Sequence, residues 1–437
     1  MGKLYIKFIN GINWLYCREK FFIFSIIFIS LVVKIPLLLA VGNGNVLTVW
    51  GKQHSDVHRY LDQAGTFLEG NPDLNINGRP SRHGPVYPAF IAIVLSVFGR
   101  EQYDSIRIIQ LFLNVFVCVM LYEISRHLFG RKVATYVIGV GVFWLAGFYW
   151  SAELLTESLF AFLFVATLYG LIISRQRIIY LAIAGITFGL ASQTRVTALP
   201  FLPLLSIWVF LGLRQDWKIR IAAVALFLGT FFIIRVPLVD AFENSTSQDH
   251  WIRPEIMGKV YTGLNLEPAP PISEEIPRLT RESYYAEETW NTIQSKEFWQ
   301  RLFYRKIIGF WYPLFNANNG AYYIFDFSFF FIAPFFLLGL WVAPKSAGYW
   351  FLVSIFIAVY GIIVLFAYGY PRHRWPADPV VIILGSYGLY HYIRYYLSRP
   401  VLRNIFWTYG ITSLLLICLS NPLFSFINFI YHGALLM

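Results

Sequence analysis

Residues 55–88, SDVHRYLDQAGTFLEGNPDLNINGRPSRHGPVYP, are the first long polar interruption after the first strongly hydrophobic segment. The first half of this stretch has the spacing of a short amphipathic helix, because Asp56, Arg59 and Tyr60 fall at i, i+3 and i+4 and share one face. The adjacent face is apolar and consists of Val57, Leu61, Ala64 and Leu68. Gly70 is predicted to stop the helix, because glycine is the usual residue after a helix C-terminus.

The second half of this stretch is rich in cations and proline. Arg79, Arg82 and His83 come shortly before Pro85 and Pro88. One surface loop therefore combines a carboxylate, several cations and a rigid return into apolar sequence. We interpret this composition as a binding site for an anionic substrate, because arginine forms charge-assisted hydrogen bonds with phosphate and carboxylate oxygens.

The composition places the whole chain in a membrane. Of its 437 residues, 57% are hydrophobic and only 14% are charged, and the mean hydropathy is +0.56. This is more apolar than a soluble globular protein. We predict an all-α integral membrane protein whose residues 1–437 form a single polytopic domain.

Two other classes of protein are disfavoured. The formal net charge is +11, but the cations lie mostly at the ends of apolar runs and no basic tract or nucleic-acid motif occurs, so we predict no nucleic-acid partner. The three cysteines, Cys17, Cys118 and Cys418, are far apart and lie in or beside apolar segments. This spacing argues against a disulfide framework and against a zinc site.

The apolar runs predict about eleven membrane-spanning helices, since a span needs about 20 residues. They are expected near residues 21–39, 106–125, 133–150, 157–173, 179–192, 198–213, 221–239, 322–342, 349–367, 379–393 and 404–420. The run from Val86 to Phe98 is short for a span and is expected at the surface or in the outer leaflet.

The positions of Lys and Arg predict the orientation of the chain. Cations accumulate in alternate connections, which places the N-terminus in the cytoplasm. Residues 42–100 and 240–321 are then extracytoplasmic loops, and we predict a bacterial inner membrane with the site facing the periplasm. Arg195 and the pair Arg372 and Arg374 lie on the outer side against this bias. A cation there needs a local reason, such as an anionic partner.

Five segments, in this order along the chain, resemble the GT-C superfamily of polytopic glycosyltransferases. The segments are SDVHRYLDQA (55–64), GRPSRHGPVYPAFIA (78–92), SAELLTESLFAFL (151–163), QTRVTALPFLPLL (193–205) and YPRHRWPADPVVIILGSYGL (370–389). The chain looks most like the branch that includes the protein mannosyltransferases and the lipid A aminoarabinose transferases. The resemblance implies a donor sugar carried on polyprenyl or dolichyl phosphate.

The resemblance also implies roles for individual residues. An Asp in the first outer loop is the catalytic base of the family, and the motif places this role on Asp56. Arg59 and Tyr60 match the Arg and Tyr that follow in the motif. The terminal Arg-x-Arg-x-x-Pro element of the family is matched by Arg372 and Arg374, with its proline displaced by one position.

Two positions depart from the family pattern. His58 occupies a position that is often small or acidic, and Arg82 with His83 replaces the Glu-Lys pair of the aminoarabinose branch. The acceptor is therefore not carried over from that branch. We predict a glycolipid, glycan or protein acceptor.

The same residues suit sugar transfer from a lipid phosphate on chemical grounds, because the reaction needs a base for the acceptor proton and cations for the leaving phosphate. We predict Asp56 as the base. The predicted substrate-binding residues are Arg59, Tyr60, Arg82, His83, Glu157, Arg195, Arg372 and Arg374. The alternative for Asp56 is a first-turn carboxylate that stabilises its helix. The alternative for the two C-terminal arginines is binding to lipid headgroups.

Glu153 and Glu157 lie at the start of an apolar run. We expect them to pair with Arg195 or another cation of the site, or alternatively to stabilise the N-terminus of the following helix. No cofactor is predicted. The alternative is a divalent metal held by His54, Asp56, His58 and His83, although residues at i and i+2 point to different faces of a helix.

The sequence thus predicts a membrane glycosyltransferase that uses a polyprenyl-phosphate sugar donor, with membrane lipids as its surroundings. A transporter or flippase for a lipid-linked saccharide is one alternative. Transporters, however, place ionisable groups near the bilayer midplane, and here these groups cluster at one face. An O-antigen-type polymerase, with a lipid diphosphate donor and a different fold, is the other alternative.

Overall fold

A computed structural model describes residues 19–42, 55–70, 84–212, 216–246, 322–366 and 374–413, together with residues 294, 311, 314–317 and 415. These residues fold almost entirely into helices. The helices before residue 247 are α1 (Glu19–Gly42), α2 (Ser55–Leu68), α3 (Val86–Phe98), α4 (Tyr103–Phe129), α5 (Arg131–Val142), α6 (Leu145–Ala152), α7 (Glu157–Ile173), α8 (Ile179–Thr194), α9 (Leu202–Gly212) and α10 (Trp217–Thr246). A 3₁₀ turn, Val196–Phe201, joins α8 to α9.

The C-terminal part begins with a short β-hairpin. Strands β1 (Leu314–Ala317) and β2 (Tyr322–Phe325) pair antiparallel, with Leu314 opposite Phe325. The helices that follow are α11 (Phe327–Val342), α12 (Ala347–Phe366) and α13 (Asp378–Tyr395). Residues 400–413 are also helical.

Three of these helices are long and apolar enough to cross a membrane. They are Glu19–Ala40 within α1, all of α4, and Trp217–Leu238 within α10. A fourth crossing results if α5 and α6 are one broken span, and six further apolar helices have 10–17 residues. The helices occupy the predicted apolar runs, but the predicted number of about eleven spans is not confirmed.

The surface of α1 has the character expected in lipid. Large apolar side chains on this helix are exposed, including Phe21 at 62% and Phe24 at 67%. A soluble protein rarely leaves so continuous an apolar surface in water. The predicted integral membrane character of the chain therefore has a direct structural counterpart.

The predicted continuous span 133–150 is wrong in one respect, because α5 and α6 are bent by 41° at residues 143–144. A break inside an apolar segment leaves backbone carbonyls without helical partners, and these need other donors in lipid. The Lys34 ammonium group of α1 donates to the carbonyl of Val142 at 2.5 Å. The Ser30 hydroxyl donates to the same carbonyl at 3.4 Å. Contacts from α1 thus give the Val142 carbonyl at the break the donors that the helix does not supply.

The predicted span 322–342 begins too early. Residues Tyr322–Phe325 are strand β2, and the helix starts at Phe327. The carboxylate of Asp326 caps this helix by accepting a hydrogen bond from the Phe329 amide at 3.1 Å. An aspartate at this position favours a helix start, because its side chain satisfies an amide that has no helical partner.

Helices α11 and α13 cross at very short range. An added Cβ at Gly388 would lie 1.9 Å from the Phe335 carbonyl oxygen, and one at Gly339 would lie 1.9 Å from the Leu384 carbonyl oxygen. Small residues allow the backbones of membrane helices to approach this closely. The crossing matters for the site, because two buried carboxylates lie at the starts of these helices, Asp326 immediately before α11 and Asp378 as the first residue of α13.

We expect Gly388→Ala to destabilise the protein by about 1–3 kcal/mol, because the new methyl group has no room beside the Phe335 carbonyl. Thermal unfolding in detergent measures the change. Gly361→Ala in α12 is the matched control, since nothing lies within 4 Å of its added Cβ. The control should be neutral or slightly stabilising. Equal melting temperatures for both variants would contradict the close crossing.

Candidate active site

Helix α2 carries the predicted base. Asp56 lies in its first turn and is half-buried, whereas Arg59 and Asp62 are exposed. Tyr60 was predicted on the polar face with Asp56 and Arg59, but its side chain is only 2% exposed. The helix packs on this side against α3, so an aromatic ring one turn from Asp56 lies inside. The predicted stop is confirmed, because Gly70 follows the helix with φ +73°.

The ring of Tyr60 contacts Tyr87 near the start of α3. Their centroids are 5.0 Å apart with an interplanar angle of 81°, an edge-to-face arrangement that aromatic pairs favour. The Tyr87 hydroxyl donates to Oε1 of Gln110 on α4 at 2.9 Å. Glu153 and Glu157 are electrostatic neighbours of this hydroxyl. Tyr87 therefore lies between α2 and residues 151–157, which contain Glu153 and Glu157 and lead into α7. We call these residues the acidic segment.

That acidic segment is held by polar groups of α4. Gln110 Nε2 donates to the carbonyl of Ser151 at 3.0 Å and to that of Glu153 at 2.7 Å. Arg107 Nε donates to the intervening carbonyl of Ala152 at 2.9 Å. Three consecutive carbonyls at the end of α6 thus have side-chain donors. Such donors replace the helical partners that a helix C-terminus lacks.

The predicted pairing of Glu157 with Arg195 is present. Arg195 Nη1 lies 2.9 Å from Glu157 Oε1, and the carboxylate is fully buried. Arg195 follows the last residue of α8, whereas Glu157 opens α7. The pair therefore joins two segments that are 38 residues apart in sequence. The indole N–H of Trp375 donates to the Glu157 carbonyl at 3.0 Å, which brings the C-terminal motif to the same place.

The start of α3 also lies near Arg195, because Gly84 packs against Gln193. An added Cβ at Gly84 would lie 1.8 Å from the carbonyl oxygen of Gln193. A glycine is required at such a position, because any side chain would collide with the backbone. Gly84, two residues before α3, therefore lies directly beside the end of α8.

Arg374 is completely buried and lies between two carboxylates. Its Nη2 is 2.8 Å from Asp326 Oδ2 and its Nε is 3.0 Å from Asp378 Oδ1. The guanidinium group also lies 3.4 Å from the centroid of the Phe329 ring. Trp144 Nε1 donates to the second oxygen of Asp378 at 2.8 Å. The Arg374 side chain has no exposed surface, which does not fit the alternative of a solvated, headgroup-binding residue, and its predicted binding to the donor phosphate stays a prediction.

Several predicted site residues lie outside the residues that the structure describes. They are Arg82, His83 and Arg372, as well as His54 of the alternative metal site. Their roles stay predictions. Within the described ranges, no group of three or more His, Cys, Asp or Glu side chains could hold a metal ion. The expected absence of a cofactor also stays a prediction.

Sequence reasoning missed three polar residues near this site. Arg107 and Gln110 are fully buried in α4, and Arg235 of α10 donates to Ser192 Oγ near the end of α8 at 3.1 Å. The available signal was a polar residue inside a membrane-spanning run, which is costly and usually faces protein. Such residues therefore mark the interior of the bundle.

Comparisons with known proteins bear on the fold and on part of the sequence. Residues 82–239 match the family described as dolichyl-phosphate-mannose-protein mannosyltransferase. The fold resembles the archaeal oligosaccharyltransferase AglB from Archaeoglobus fulgidus, solved with an inhibitory peptide and a dolichol-phosphate. Its TM-score is 0.52 at 16% identity, over 92% of this chain and 55% of that chain. The apo form of that enzyme gives a TM-score of 0.53 at 16% identity, with the same coverage.

A second solved protein has a similarly related fold. ArnT from Cupriavidus metallidurans, solved with undecaprenyl phosphate, gives a TM-score of 0.53 at 15% identity, over 82% of this chain and 60% of that chain. The chain thus spans little more than half the length of these solved proteins. The comparison with curated proteins found no match. The likeness to AglB and ArnT confirms the predicted GT-C-like helical membrane fold.

Proposed function

We propose that this chain, a GT-C superfamily protein of the mannosyltransferase and aminoarabinose transferase branch, transfers a sugar from a polyprenyl-phosphate donor to a hydroxyl group. One observation carries the proposal. Helix α2, which bears Asp56, packs through Tyr60 on Tyr87, and Tyr87 is hydrogen-bonded through Gln110 to the segment that leads into the buried Glu157–Arg195 pair. Asp56 is a half-buried carboxylate that can serve as the base, and the proposed arginines supply the cations for the leaving phosphate.

In the proposed reaction, the acceptor oxygen attacks the anomeric carbon of the donor sugar. Asp56 accepts the acceptor proton as the new carbon–oxygen bond forms. The bond between the anomeric carbon and the phosphate oxygen breaks, and its electron pair leaves with the polyprenyl phosphate. Direct displacement of this kind inverts the anomeric configuration. Arginine suits the leaving phosphate, because its planar guanidinium group pairs with two oxygens and keeps its charge.

The binding residues are proposed with different support. Arg195 already balances the charge of Glu157, so the pair can orient a polar substrate without leaving an unpaired charge in the membrane. Arg59 is exposed on α2 and is free to face a ligand from outside the bundle. Arg82, His83 and Arg372 complete the proposed cation set on sequence grounds.

The solved structures of similar fold support the proposed class of donor. AglB was solved with a dolichol-phosphate and a peptide, and ArnT with undecaprenyl phosphate. We extend the lipid phosphate to this chain as donor carrier, and we propose a glycolipid, glycan or protein as acceptor. Mass spectrometry of membrane glycolipids and glycoproteins, with and without the gene, tests this directly. An unchanged set of glycosylated molecules would contradict the proposal.

A transporter or flippase shares one feature with this protein, the broken helix pair α5 and α6. The two functions differ in their products. A transferase converts the lipid-linked sugar into free polyprenyl phosphate and a glycosylated acceptor, whereas a flippase returns the donor unchanged. An O-antigen-type polymerase is expected to have a different fold, so the likeness to AglB and ArnT argues against it.

The proposed site faces the periplasm of a bacterial inner membrane. We expect Glu69→Cys, exposed after α2, to react with an impermeant maleimide in intact cells. Gln176→Cys, exposed between α7 and α8, should react only after lysis, because its connection holds cations predicted to be cytoplasmic. The unsubstituted chain serves as the blank for the native cysteines. The reverse labelling pattern would overturn the orientation.

A further inference from the structure

The strongest unassigned feature is a buried polar link between α2 and the acidic segment before α7. It consists of Tyr60, Tyr87 and Gln110, and it ends on the carbonyls of Ser151 and Glu153. Tyr87 and Gln110 have no exposed surface, and Tyr60 is 2% exposed. A network this deeply buried is costly unless its groups are satisfied.

Its hydrogen bonds permit a single arrangement. The carbonyls of Ser151 and Glu153 can only accept, so both must receive protons from the Gln110 amide nitrogen. The amide oxygen then faces Tyr87, and the phenol hydroxyl must donate to it. Both amide protons and the phenol proton are thereby used. Gln110 cannot rotate its amide by 180° without placing its oxygen against two carbonyls, so the link is rigid.

The link joins the two parts of the proposed site, which are Asp56 on α2 and the Glu157–Arg195 pair. At one end, Tyr60 lies one helical turn after Asp56. At the other end, the carbonyl of Glu153 lies four residues before Glu157, whose carboxylate binds Arg195. Arg107 Nε donates to the carbonyl of Ala152 at 2.9 Å, and Ala152 lies between the two residues that Gln110 contacts. A shift of α2 relative to this segment would break a hydrogen bond or an aromatic contact.

We infer that Tyr87 is a positioning residue, which through Tyr60 and Gln110 sets the place of the Asp56 helix relative to the Glu157–Arg195 pair. This inference rests on the proposed function, because it assigns Asp56 to the reaction. In this role Tyr87 acts through the ring of Tyr60 and the amide of Gln110, and takes no part in the reaction itself. Placement errors of about 1 Å can slow an enzyme on the order of a hundredfold.

The test is Tyr87→Phe, which removes the hydroxyl and keeps the ring that packs on Tyr60. We expect turnover per folded molecule to fall about tenfold to a hundredfold, with little change in the KM for polyprenyl-phosphate sugars extracted from the source membranes. Tyr392→Phe is the matched control. It also removes a tyrosine hydroxyl that donates to a carbonyl, that of Leu402 at 2.7 Å, but it lies on α13 away from α2.

A second readout is independent of activity. Hydrogen exchange followed by mass spectrometry should show faster exchange in the α2 peptides of Tyr87→Phe and unchanged exchange there in Tyr392→Phe. Unchanged α2 exchange together with unchanged turnover would overturn the positioning role. Loosened α2 and slowed turnover, in a protein whose Asp56→Asn variant stays active, would keep the link and overturn the proposed base. The two failures are therefore distinguishable.

A double substitution completes the design. If Tyr87 acts through Asp56, adding Tyr87→Phe to Asp56→Asn should slow the residual transfer much less than it slows the parent enzyme. A purely structural role would lower the amount of folded protein equally in both backgrounds. Full additivity of the two rate effects would contradict the inference.

Discussion

Asp56→Asn is expected to slow sugar transfer about a hundredfold to ten-thousandfold, the usual range for loss of a general base. The substitution keeps the size of the side chain and much of its hydrogen bonding, but asparagine cannot accept the acceptor proton. Asp56 is half-buried at the start of α2. A change of charge there should have little effect on the packed face of the helix.

The measurement is release of free polyprenyl phosphate from lipid-linked sugars extracted from the source membranes, with purified full-length protein. Asp62→Asn is the matched control, because it makes the same chemical change at an exposed residue of the same helix. It should retain most activity. Yield and melting temperature in detergent are recorded for each variant.

Two outcomes would count against the assignment. A fully active Asp56→Asn enzyme refutes Asp56 as the base. An inactive Asp56→Asn protein that also fails to fold supports the alternative role, in which the carboxylate stabilises the first turn of α2. A folded, inactive Asp56→Asn beside an active Asp62→Asn supports the proposed base.

Arg374→Met is expected to destabilise the fold by about 3–5 kcal/mol, because it leaves two buried carboxylates without their shared cation. Asp326 and Asp378 are 0% and 1% exposed, respectively. Arg374 joins α11 to α13 through them. Two carboxylates this close cannot both stay charged without a cation between them. We therefore expect low yield and a lower melting temperature in detergent.

The decisive control restores charge balance. Arg374→Met combined with Asp326→Asn and Asp378→Asn removes the whole ionic group, and replacing a complete buried group costs far less than removing one member. The triple variant should regain much of the lost stability. A stable Arg374→Met single variant that has lost only donor binding would instead support the prediction from the sequence that Arg374 binds the donor phosphate.

The sequence alone was sufficient for the class of protein and most of its elements. Apolar runs located α1, α4, α7 and α8 to within a few residues, because the length and hydropathy of a membrane helix are local properties. The amphipathic α2 and its stop at Gly70 were also predictable, because helical spacing and a glycine after the helix are local properties. The pairing of Glu157 with Arg195 was predictable because a buried charge in a membrane needs a partner.

Other features depended on residues distant in sequence. The break between α5 and α6 is compensated by Lys34 and Ser30 of α1, more than 100 residues away. The strand β2 forms because β1 is there to pair with it. A local hydropathy pattern contains no information about such partners.

The largest revision concerns two residues that the sequence placed at the surface. Tyr60 is buried because α3 packs over that side of α2, and Arg374 is buried because Asp326 and Asp378 surround it. A tyrosine or an arginine has the same local signature whether it faces a ligand or a buried partner. Only the tertiary structure decides between these environments, because burial depends on which distant segments fold against the residue.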